Sequence, residues 1–389
     1  MTVATTDQGL NFELPEDLKL LKRSIREFAE KELWPLTNHL EEHDEIPAST
    51  IEKMSEMGLF GLPFSEEFGG AGMGELGFCV ALEELGRANA AFSNLLGAHC
   101  GIGVMALYLD GDRRLKEKYM PRMCAGEKLG CFALSEPAAG SDAANIQTAA
   151  RLDGDAFILN GVKHFITSGD LADFASVFAV TDKSLGSRGG ITAFWVDLNQ
   201  PGITRGKNDK KMGLYGSHTC ELIFRDVRVP ADHVIGTVGA GFKTAMKTLD
   251  MGRLSVGAGC VGSAQIMLEK AIAHAKERVQ FGKPIAKQQA VQFMIADIAT
   301  EIYAARNMVY NGAWKADRGE RFSIEAAMVK RYCSDMAIRV VDRVLQIHGG
   351  MGFMKETGIE RAYRDARILA IYEGTNEIQR MIIAEELLK

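Results

Sequence analysis

The segment IYEGTNEIQR, at residues 371–380, contains the side chain in this sequence that is the clearest candidate for a chemical reaction. Glu373 lies between the aromatic residue Tyr372 and Gly374, a glycine that allows the backbone a wider range of conformations. A second acid, Glu377, follows one helical turn later. A carboxylate that is shielded from water has a raised pKa and is a stronger base. The segment alone is compatible with a reactive carboxylate or with a solvated loop acid.

Two other segments combine hydroxyl groups, glycine and turn residues. LSEPAAGSDA (134–143) follows a β-type run and contains a proline turn between two serines. HFITSG (164–169) places an aromatic ring, Phe165, two residues before a hydroxyl, Thr167. Hydroxyl and backbone N–H groups bind the polar edge of a ring or a phosphate, and an aromatic side chain covers a flat ring face. By composition alone, a tight surface loop explains the first segment equally well. For Phe165, taken alone, a position in the core is the commoner explanation.

Glycine also follows or interrupts three helical patterns. ERVQFGKPI (277–285) and QIHGGMGF (346–353) each end a long helix with glycines that let a ligand approach the backbone. His348 has no second histidine or acid at metal-ligand spacing, so we expect no metal site. GAGCVG (257–262) has GxGxxG spacing, but helical patterns flank it on both sides. A dinucleotide loop requires a preceding strand, so we expect close helix packing there and not a phosphate loop.

These segments lie in three stretches with different hydrophobic patterns. From about 15 to 125 the pattern is helical; the first helix is predicted from Leu18 to Leu33, and Pro35 ends it. Residues 91–109 contain no Asp, Glu, Lys or Arg, which predicts a buried helix. From about 127 to 236 short β-type runs alternate with turn dipeptides. From about 237 onward, apolar residues recur every three or four positions, which indicates packed long helices.

The predicted fold is therefore α+β. We expect an N-terminal α-helical domain at 1–126, a middle antiparallel, β-barrel-like domain at 127–236 and a C-terminal helical bundle at 237–389.

Composition narrows the function class. The chain has 389 residues and a net charge of −6, so its overall charge does not favour nucleic acid or an anionic membrane as a partner. The short basic run KNDKK (207–211) is expected to be a solvated loop. From the sequence, no apolar run is expected to approach membrane-spanning length. The seven cysteines are dispersed, without a CxxC pair, and the N-terminus resembles no leader peptide. We expect a cytoplasmic protein, or the mature form of a protein of the mitochondrial matrix.

Taken in order, the segments LSEPAAGSDA, HFITSG, ERVQFGKPI, QIHGGMGF and IYEGTNEIQR resemble the acyl-CoA dehydrogenase family. The resemblance extends over nearly the whole chain. It implies a C-terminal four-helix bundle, an FAD cofactor, an acyl-CoA substrate and a homotetramer built as a dimer of dimers. It also implies an electron-transfer flavoprotein as the electron acceptor.

By this resemblance, Glu373 is the catalytic base. It would abstract the α-proton of an acyl-CoA thioester while the β-hydrogen leaves as hydride to flavin N5, giving a trans-2-enoyl-CoA. A weakly acidic α-hydrogen needs a base held against it, and a carboxylate enclosed between substrate and flavin has the raised pKa that this task requires.

The resemblance assigns further positions. Those implied to contact FAD are Phe132, Leu134, Ser135, Gly140, Ser141, Phe165, Thr167, Arg278, Phe281, Gln346, Gly350, Thr375 and Glu377. Of these, Arg278, Phe281, Gln346 and Gly350 are implied to reach the FAD of a neighbouring subunit. Those implied to contact the substrate are Ser141, Asp250, Arg253, Tyr372 and Gly374.

Two positions depart from the family pattern. Phe165 stands where many members have tryptophan, which weakens the expectation of electron transfer to an electron-transfer flavoprotein. Gly252 stands where some branched- and long-chain members have their glutamate base, so the base is assigned to Glu373.

The segment TLDMGR resembles the short-chain and short branched-chain members. Residues 91–109 offer no arginine for a distal carboxylate, which argues against a dicarboxylyl substrate. Asn94 and His99 are compatible with a polar acyl group or with a satisfied core. The alternatives are an enoyl-CoA reductase, an oxygen-using oxidase, an enzyme acting on a carrier-protein thioester, and a flavin-free acyl-CoA-binding scaffold.

Overall fold

The computed structural model describes residues 13–389 and begins with a layer of helices. They are α1 (Glu16–Phe28), α2 (Thr37–His43), α3 (Ala48–Glu56), α4 (Gly74–Ala88), α5 (Ala90–Leu96), α6 (Met105–Asp110) and α7 (Arg113–Cys124). The first predicted helix continues past α1 as a π-helical turn at Ala29–Leu33 and a 3-10 turn at Trp34–Leu36, where Pro35 ends it.

The predicted buried helix at 91–109 is present in three parts, because a π-helical segment, Gly97–Gly103, separates α5 from α6. The stretch Ala90–Asp110 is the one place in residues 13–389 that is long and apolar enough, by composition, to cross a membrane. The expectation that no run approaches this length was therefore too strict. Since 78% of its apolar 18-residue window is buried within the protein, the core accounts for its apolar character.

The middle region is a single eight-stranded sheet. Its strands are β1 (Gly130–Ala133), β2 (Ala149–Asp153), β3 (Ala156–Thr167), β4 (Phe174–Val180), β5 (Ile191–Asp197), β6 (Ile203–Arg205), β7 (Thr219–Pro230) and β8 (Val234–Ile235). Their order is β6-β7-β3-β2-β4-β5-β8, and β1 pairs with β4. The sheet is largely antiparallel, as predicted, but β4 runs parallel to both β1 and β2. The sheet has its own apolar cluster, distinct from the cluster that the helices share.

The C-terminal region returns to helices: α8 (Gly241–Glu277), α9 (Gln289–Asp317), α10 (Ser323–His348), α11 (Ile359–Ala366) and α12 (Asn376–Leu387). A two-stranded ribbon, β9 (Val279–Gln280) and β10 (Lys283–Pro284), connects α8 to α9. Helices α8, α9 and α10 pack against one another, and α12 packs on α10. The spacing of apolar residues predicted beyond residue 237 is found on α9, from Val291 to Val309, and on α10, from Val329 to Ile347.

The GAGCVG segment lies inside α8, as expected from its flanks. A Cβ atom on Gly262 would lie 1.9 Å from the carbonyl oxygen of Glu83, and one on Gly86 would lie 2.9 Å from that of Gly259. Real Cβ atoms do not approach backbone so closely, so these glycines allow α4 and α8 to come together. The segment therefore serves helix packing.

Candidate functional site

Glu373 lies in a tight loop between the 3-10 turn Arg367–Ala370 and α12. Its φ is 56° and that of Gly374 is 84°, so two consecutive residues occupy the left-handed region. A glutamate adopts this conformation only where its surroundings hold it there. Thr375 then caps α12, with its hydroxyl accepting a hydrogen bond from the N–H of Ile378 at 3.3 Å.

Two buried side chains fix the backbone of this loop. The ammonium group of Lys330, on α10, donates to the carbonyl of Gly374 at 2.7 Å and to the side-chain oxygen of Asn376 at 3.0 Å. The amide of Gln379 donates to the carbonyls of Glu373 and Gly374, both at 3.0 Å. Both side chains are fully buried. The loop is therefore held through its carbonyl groups, which leaves the Glu373 carboxylate unrestrained by this network.

The buried oxygen of the Glu373 carboxylate has no hydrogen-bond partner in the described part of the chain. This Oε2 atom is buried and forms no hydrogen bond with any residue in 13–389, and the Glu373 backbone N–H also donates to none of them. Burial raises the pKa of Glu373 to about 7, against the opposing charges of Arg253 and Lys330. A carboxylate with this pKa accepts a proton readily near neutral pH. The free N–H group beside it can donate to an oxygen that gains charge during reaction.

Helix α8 passes directly behind this carboxylate. A Cβ atom on Gly252 would lie 3.0 Å from each of the two carboxylate oxygens of Glu373, and 2.6 Å from a methyl carbon of Ile102. Glycine at position 252 therefore makes room for the Glu373 carboxylate. The two positions that the sequence analysis compared as alternative sites for a base, 252 and 373, converge on one point in space.

Two cavities meet at Glu373. The larger has a volume of about 950 Å³ and the smaller about 380 Å³, both within the size range of small-molecule sites. Residues that line both cavities include Asn94, Ala98, Ile102, Thr167, Leu214, Tyr372 and Glu373. The carboxylate is therefore positioned between two compartments, and a group bound in either one can reach it.

The larger cavity contains most of the residues predicted to contact FAD. Those that line it are Phe132, Leu134, Ser135, Gly140, Ser141, Phe165, Thr167 and Thr375, together with the predicted substrate contacts Arg253, Tyr372 and Gly374. Phe165 is 63% exposed, in the left-handed conformation, and its ring is stacked on that of His164 at a centroid distance of 3.9 Å. A flat aromatic face, several hydroxyls and an apolar wall suit a planar ring system with polar edges.

The loop at 134–143 is anchored by a buried ion pair that the sequence analysis missed. The ammonium group of Lys163, on β3, lies 2.8 Å from a carboxylate oxygen of Glu136 and donates to the carbonyl of Leu134 at 3.0 Å. The same carboxylate accepts hydrogen bonds from the backbone N–H groups of Gln147 and Thr148. Burial alone would raise the pKa of Glu136, but Lys163 and these hydrogen bonds hold it below its usual value.

Six predicted site residues do not line either cavity. Arg278, Phe281, Gln346 and Gly350 are exposed at the far end of the helical region, and Phe281 is 94% exposed. Within a single chain they contact neither cavity, so their predicted role requires a second copy of the chain. Glu377 is also exposed, on the outer side of α12.

The sixth, Asp250, lies behind Arg253. Its carboxylate accepts hydrogen bonds from the Arg253 guanidinium at 2.6 Å and from the Ser323 hydroxyl at 2.5 Å. The Nε atom of Arg253 is buried without a hydrogen-bond partner among the described residues. Asp250 therefore orients Arg253, which itself lines the larger cavity. A direct substrate contact from Asp250 stays a prediction.

The structure distinguishes between two polar residues of the 91–109 stretch. His99 is buried, receives a hydrogen bond from the N–H of Gly130 and contacts the carbonyl of Met123, and burial lowers its pKa to about 4. It is a satisfied core residue. Asn94 lines both cavities.

The expectation of a solvated loop at 207–211 was partly wrong. Lys210 and Lys211 both line the larger cavity, and the Lys211 ammonium nitrogen is buried without a hydrogen-bond partner in residues 13–389. Composition gave no signal for this, because the burial depends on the sheet and α11 closing around the loop.

Three family models match consecutive parts of the chain. The N-terminal, middle and C-terminal domains of acyl-CoA dehydrogenase match residues 15–127, 131–227 and 239–388. The chain belongs to the acyl-CoA dehydrogenase family. Its members are FAD-dependent oxidoreductases.

The relatives that this chain matches over more than nine-tenths of their length include enzymes named for opposite directions of reaction. It is 42% identical to the mitochondrial short-chain specific acyl-CoA dehydrogenase of Bos taurus, over 97% of this chain and 91% of the relative. It is 43% identical to the 3-(aryl)acrylate reductase of Clostridium sporogenes, over 96% and 99%. It is 44% identical to the CarC subunit of the caffeyl-CoA reductase–Etf complex of Acetobacterium woodii, over 96% and 99%.

Solved structures agree with this assignment. A chain from work on the electron transferring flavoprotein of Acidaminococcus fermentans has a TM-score of 0.96 at 43% identity, covering 98% of this chain and 100% of that one. Butyryl-CoA dehydrogenase from Megasphaera elsdenii has a TM-score of 0.95 at 41% identity, with coverage of 98% and 100%.

The residues present fit the cofactor that the family uses. The larger cavity joins hydroxyl donors at Ser135, Ser141 and Thr167 to the face of Phe165, and it ends at the unsatisfied oxygen of Glu373. In an acyl-CoA dehydrogenase, bound FAD supplies a hydride acceptor. The chain supplies the shape of the cavity, the carboxylate of Glu373 and the donors around it.

Proposed function

We propose that this enzyme dehydrogenates an acyl-CoA thioester between its α and β carbons, with Glu373 as the base that removes the α-proton. The observation that carries the proposal is the position of the Glu373 carboxylate, which lies between two cavities with Oε2 buried and unpartnered. An unsatisfied buried acceptor is costly, and a proton from the substrate satisfies it. The pKa of about 7 matches that task.

The chain contributes positioning as well as a base. The free N–H of Glu373 points to a donor for the thioester oxygen, which gains negative charge as the α-proton leaves. Lys330 and Gln379 hold the loop, so this donor and the carboxylate keep a fixed relation. Fixed geometry of this kind supplies a large part of the rate enhancement in proton abstraction.

The proposed substrate class is a short or short branched-chain acyl-CoA. The support comes from the short-chain specific acyl-CoA dehydrogenase and the butyryl-CoA dehydrogenase among the similar proteins, and from the modest volume of the smaller cavity, about 380 Å³.

A second candidate is the reverse reaction, reduction of an enoyl-CoA. Two relatives with 43% and 44% identity are named as a 3-(aryl)acrylate reductase and a caffeyl-CoA reductase subunit. In that direction a protonated Glu373 donates to the α carbon, and a pKa near 7 permits either role. An oxygen-using oxidase remains the third candidate, and it would consume oxygen without an added electron acceptor.

We propose an electron-transfer flavoprotein as the electron partner, supported by the Etf-linked relatives.

We also propose a homotetramer arranged as a dimer of dimers. The helical C-terminal region exposes several large apolar side chains that a second copy would cover: Phe281, Phe293, Tyr303 and Phe353. A reducing compartment is the proposed location, consistent with seven buried and unpaired cysteines.

Anaerobic bleaching of the flavin tests the reaction and the substrate class together. Purified enzyme is titrated with short, branched, medium and aromatic acyl-CoAs, and the flavin absorbance is followed. Bleaching by one group supports dehydrogenation and identifies that group. A yellow protein that no acyl-CoA bleaches, but whose chemically reduced flavin is reoxidised by an enoyl-CoA, is a reductase. A protein that is colourless and takes up no FAD contradicts the proposal.

A further inference from the structure

The smaller cavity follows the seam where α8 packs against α5 and the π-helical segment after it. It includes Glu373, where the α carbon of the acyl group lies under the proposed function. From there its lining continues along α8 through Gly252, Val256 and Gly259. These positions recur at intervals of four and three residues, so they share one face of the helix. The cavity therefore extends along α8 beyond the Glu373 carboxylate.

The two segments that form this seam are antiparallel. A Cβ atom on Gly252 would lie 2.6 Å from a methyl carbon of Ile102, and one on Gly259 would lie 3.3 Å from the hydroxyl oxygen of Ser93. Residue numbers thus rise along α8 while they fall along the facing segment. Gly97 is about midway between Ser93 and Ile102 in the sequence, so it lies beside the part of α8 between Gly252 and Gly259.

Gly97 leaves an open space in the lining of the cavity. No neighbouring heavy atom lies within 4 Å of the position that its Cβ would occupy. Its φ and ψ are −59° and −42°, which are ordinary helical values that any residue except proline adopts easily. The backbone does not require glycine at this position. What the glycine provides is room in the cavity.

The lining suits an apolar chain. Its apolar side chains include Ala98, Ile102, Leu214, Val256 and Leu369. Two polar side chains on the α5 side already have partners. The Ser93 hydroxyl donates to the carbonyl of Ala90 at 3.0 Å, and the Asn94 amide donates to the hydroxyl of Ser217 at 2.5 Å. Methylene groups that enter this stretch therefore bury apolar surface without displacing these hydrogen bonds.

The length of this stretch can be compared with that of an acyl chain. Gly252 and Gly259 are separated by about 10 Å along the axis, because an α-helix rises about 1.5 Å per residue. An extended chain advances about 1.2 Å per covalent bond, so about eight bonds span this distance. A butyryl chain ends two bonds beyond its α carbon. It would fill only the part of the cavity next to Glu373.

We infer that the acyl site continues past Gly97 to Gly259, so that the enzyme also dehydrogenates unbranched acyl-CoAs of about eight to ten carbons. The inference rests on the proposed function and extends its substrate class from short to medium chains. The reaction is unchanged: the α-proton goes to Glu373 and the β-hydride to FAD. Gly97 is the residue that determines the usable length, because a side chain at this position enters the space beside the middle of the chain.

A chain-length series tests this inference in the FAD-bound enzyme. The substrates are butyryl-, hexanoyl-, octanoyl- and decanoyl-CoA, and kcat/KM is measured for each with an artificial electron acceptor. We expect kcat/KM to rise by about fourfold for each added CH2 group up to octanoyl-CoA, since burial of a methylene group stabilises its complex by that factor. The octanoyl/butyryl ratio is then on the order of 100-fold.

Variants at position 97 should shorten the site. Gly97→Leu should lower the octanoyl/butyryl ratio by about 100-fold, because its side chain takes the space of the outer methylene groups. Gly97→Ala should lower it by less, and it should not reduce Tm, since alanine is favoured over glycine in a helix. Ala125→Leu, at an exposed position after α7, is the control and should leave the ratio unchanged. FAD content, Tm and native mass show whether each variant is folded and assembled.

The possible outcomes separate this inference from the proposed function. If kcat/KM falls steadily from butyryl- to octanoyl-CoA in the wild type, the acyl site ends before Gly97 and the proposed function stands. If both Gly97 variants lower kcat/KM equally for all chain lengths, position 97 has a structural role and does not determine length. If no acyl-CoA of the series bleaches the flavin, the proposed function itself fails, and the inference fails with it.

Discussion

Two glutamates of this chain, the buried Glu136 and the half-buried Glu373, differ in how completely their carboxylates are satisfied. Glu136 is 6% exposed and accepts hydrogen bonds from Lys163 and two backbone N–H groups, and its pKa lies below the usual value. Glu373 has a buried oxygen with no partner in the described chain, and its pKa is raised to about 7. The same side chain is thus held ionised in one place and poised to exchange a proton in the other.

The difference shows that polar interactions in this protein have two uses: some stabilise a loop, and others leave a carboxylate free to exchange a proton. Around Glu136 the network binds the carboxylate itself, so the acid stabilises the loop that faces the larger cavity. Around Glu373 an equally buried network, from Lys330 and Gln379, binds only the backbone carbonyls. The loop is rigid while the carboxylate stays unsatisfied, which is the condition for a positioned base.

The largest expected effect comes from removing the base. Glu373→Gln should lower the rate of flavin reduction by an excess acyl-CoA by about 10²–10⁴-fold or more, because a positioned base contributes that much. Bound FAD should be retained, since the substitution keeps the size of the side chain. Stopped-flow absorbance under anaerobic conditions gives the rate. Glu385→Gln, on the exposed side of α12, is the control. Near-normal reduction in the Glu373 variant would place the base elsewhere.

Removing the other glutamate should affect stability instead. Glu136→Gln leaves the fully buried Lys163 without its counter-ion, which costs about 3–5 kcal/mol in the free energy of unfolding. The exposed pair Arg113–Glu117 provides the comparison, because Glu117→Gln should cost at most about 1 kcal/mol. Denaturant unfolding of the two variants measures both. Similar small losses would show that Glu136 and Lys163 are not a structural pair.

The two glutamates should also differ in the pH dependence of stability. The pKa of Glu373 is raised in the folded state, so that state binds a proton more tightly than the unfolded chain, and folding loses stability as pH rises from about 4.5 to 7. Glu373→Gln removes this loss. The variant should match the wild type near pH 4.5 and exceed it at pH 8 by at most about 3 kcal/mol. Tm measured across this range tests the sign; a variant less stable at pH 8 would contradict it.

The smallest effect is expected from the loop support. Lys330→Met removes the donor to the Gly374 carbonyl and a positive charge near Glu373, so kcat should fall by about 10- to 100-fold. Because that charge lowers the pKa of Glu373, the pH of half-maximal activity should move upward from about 7. Lys31→Met, at an exposed lysine, should leave the pH profile unchanged. A fall in kcat without a shift would limit Lys330 to a purely structural role.

Much of the fold was predictable, because the spacing of apolar residues along the sequence indicates whether a segment forms a helix or a strand. Short β-type runs in the region 127–236 form strands such as β3 and β5, and the apolar spacing from Val329 to Ile347 lies on α10. The parallel pairing of β4 with β1 and β2 was not predictable, because alternation specifies a strand but not its neighbours. Short β6 and β8 carry too few residues for a pattern.

The candidate site was also predictable only in part. Motif residues such as Ser135, Phe165 and Thr167 do line the larger cavity. Lys330 and Lys163 were missed because a lysine inside an apolar stripe or strand looks like a solvated position until its partner is placed beside it. The predicted roles of Arg278 and Gln346 need a second subunit and stay predictions.

The contact between Gly252 and the Glu373 carboxylate limits how the proposed base could be exchanged. Position 252 on α8 and position 373 in the loop before α12 meet at one point, so either could bring an acid to it. A Cβ at position 252 would lie 3.0 Å from both carboxylate oxygens of Glu373 and 2.6 Å from a methyl carbon of Ile102, and a second carboxylate there would be repelled by the first. Moving the proposed base from the loop to α8 therefore requires changes at positions 102, 252 and 373 together.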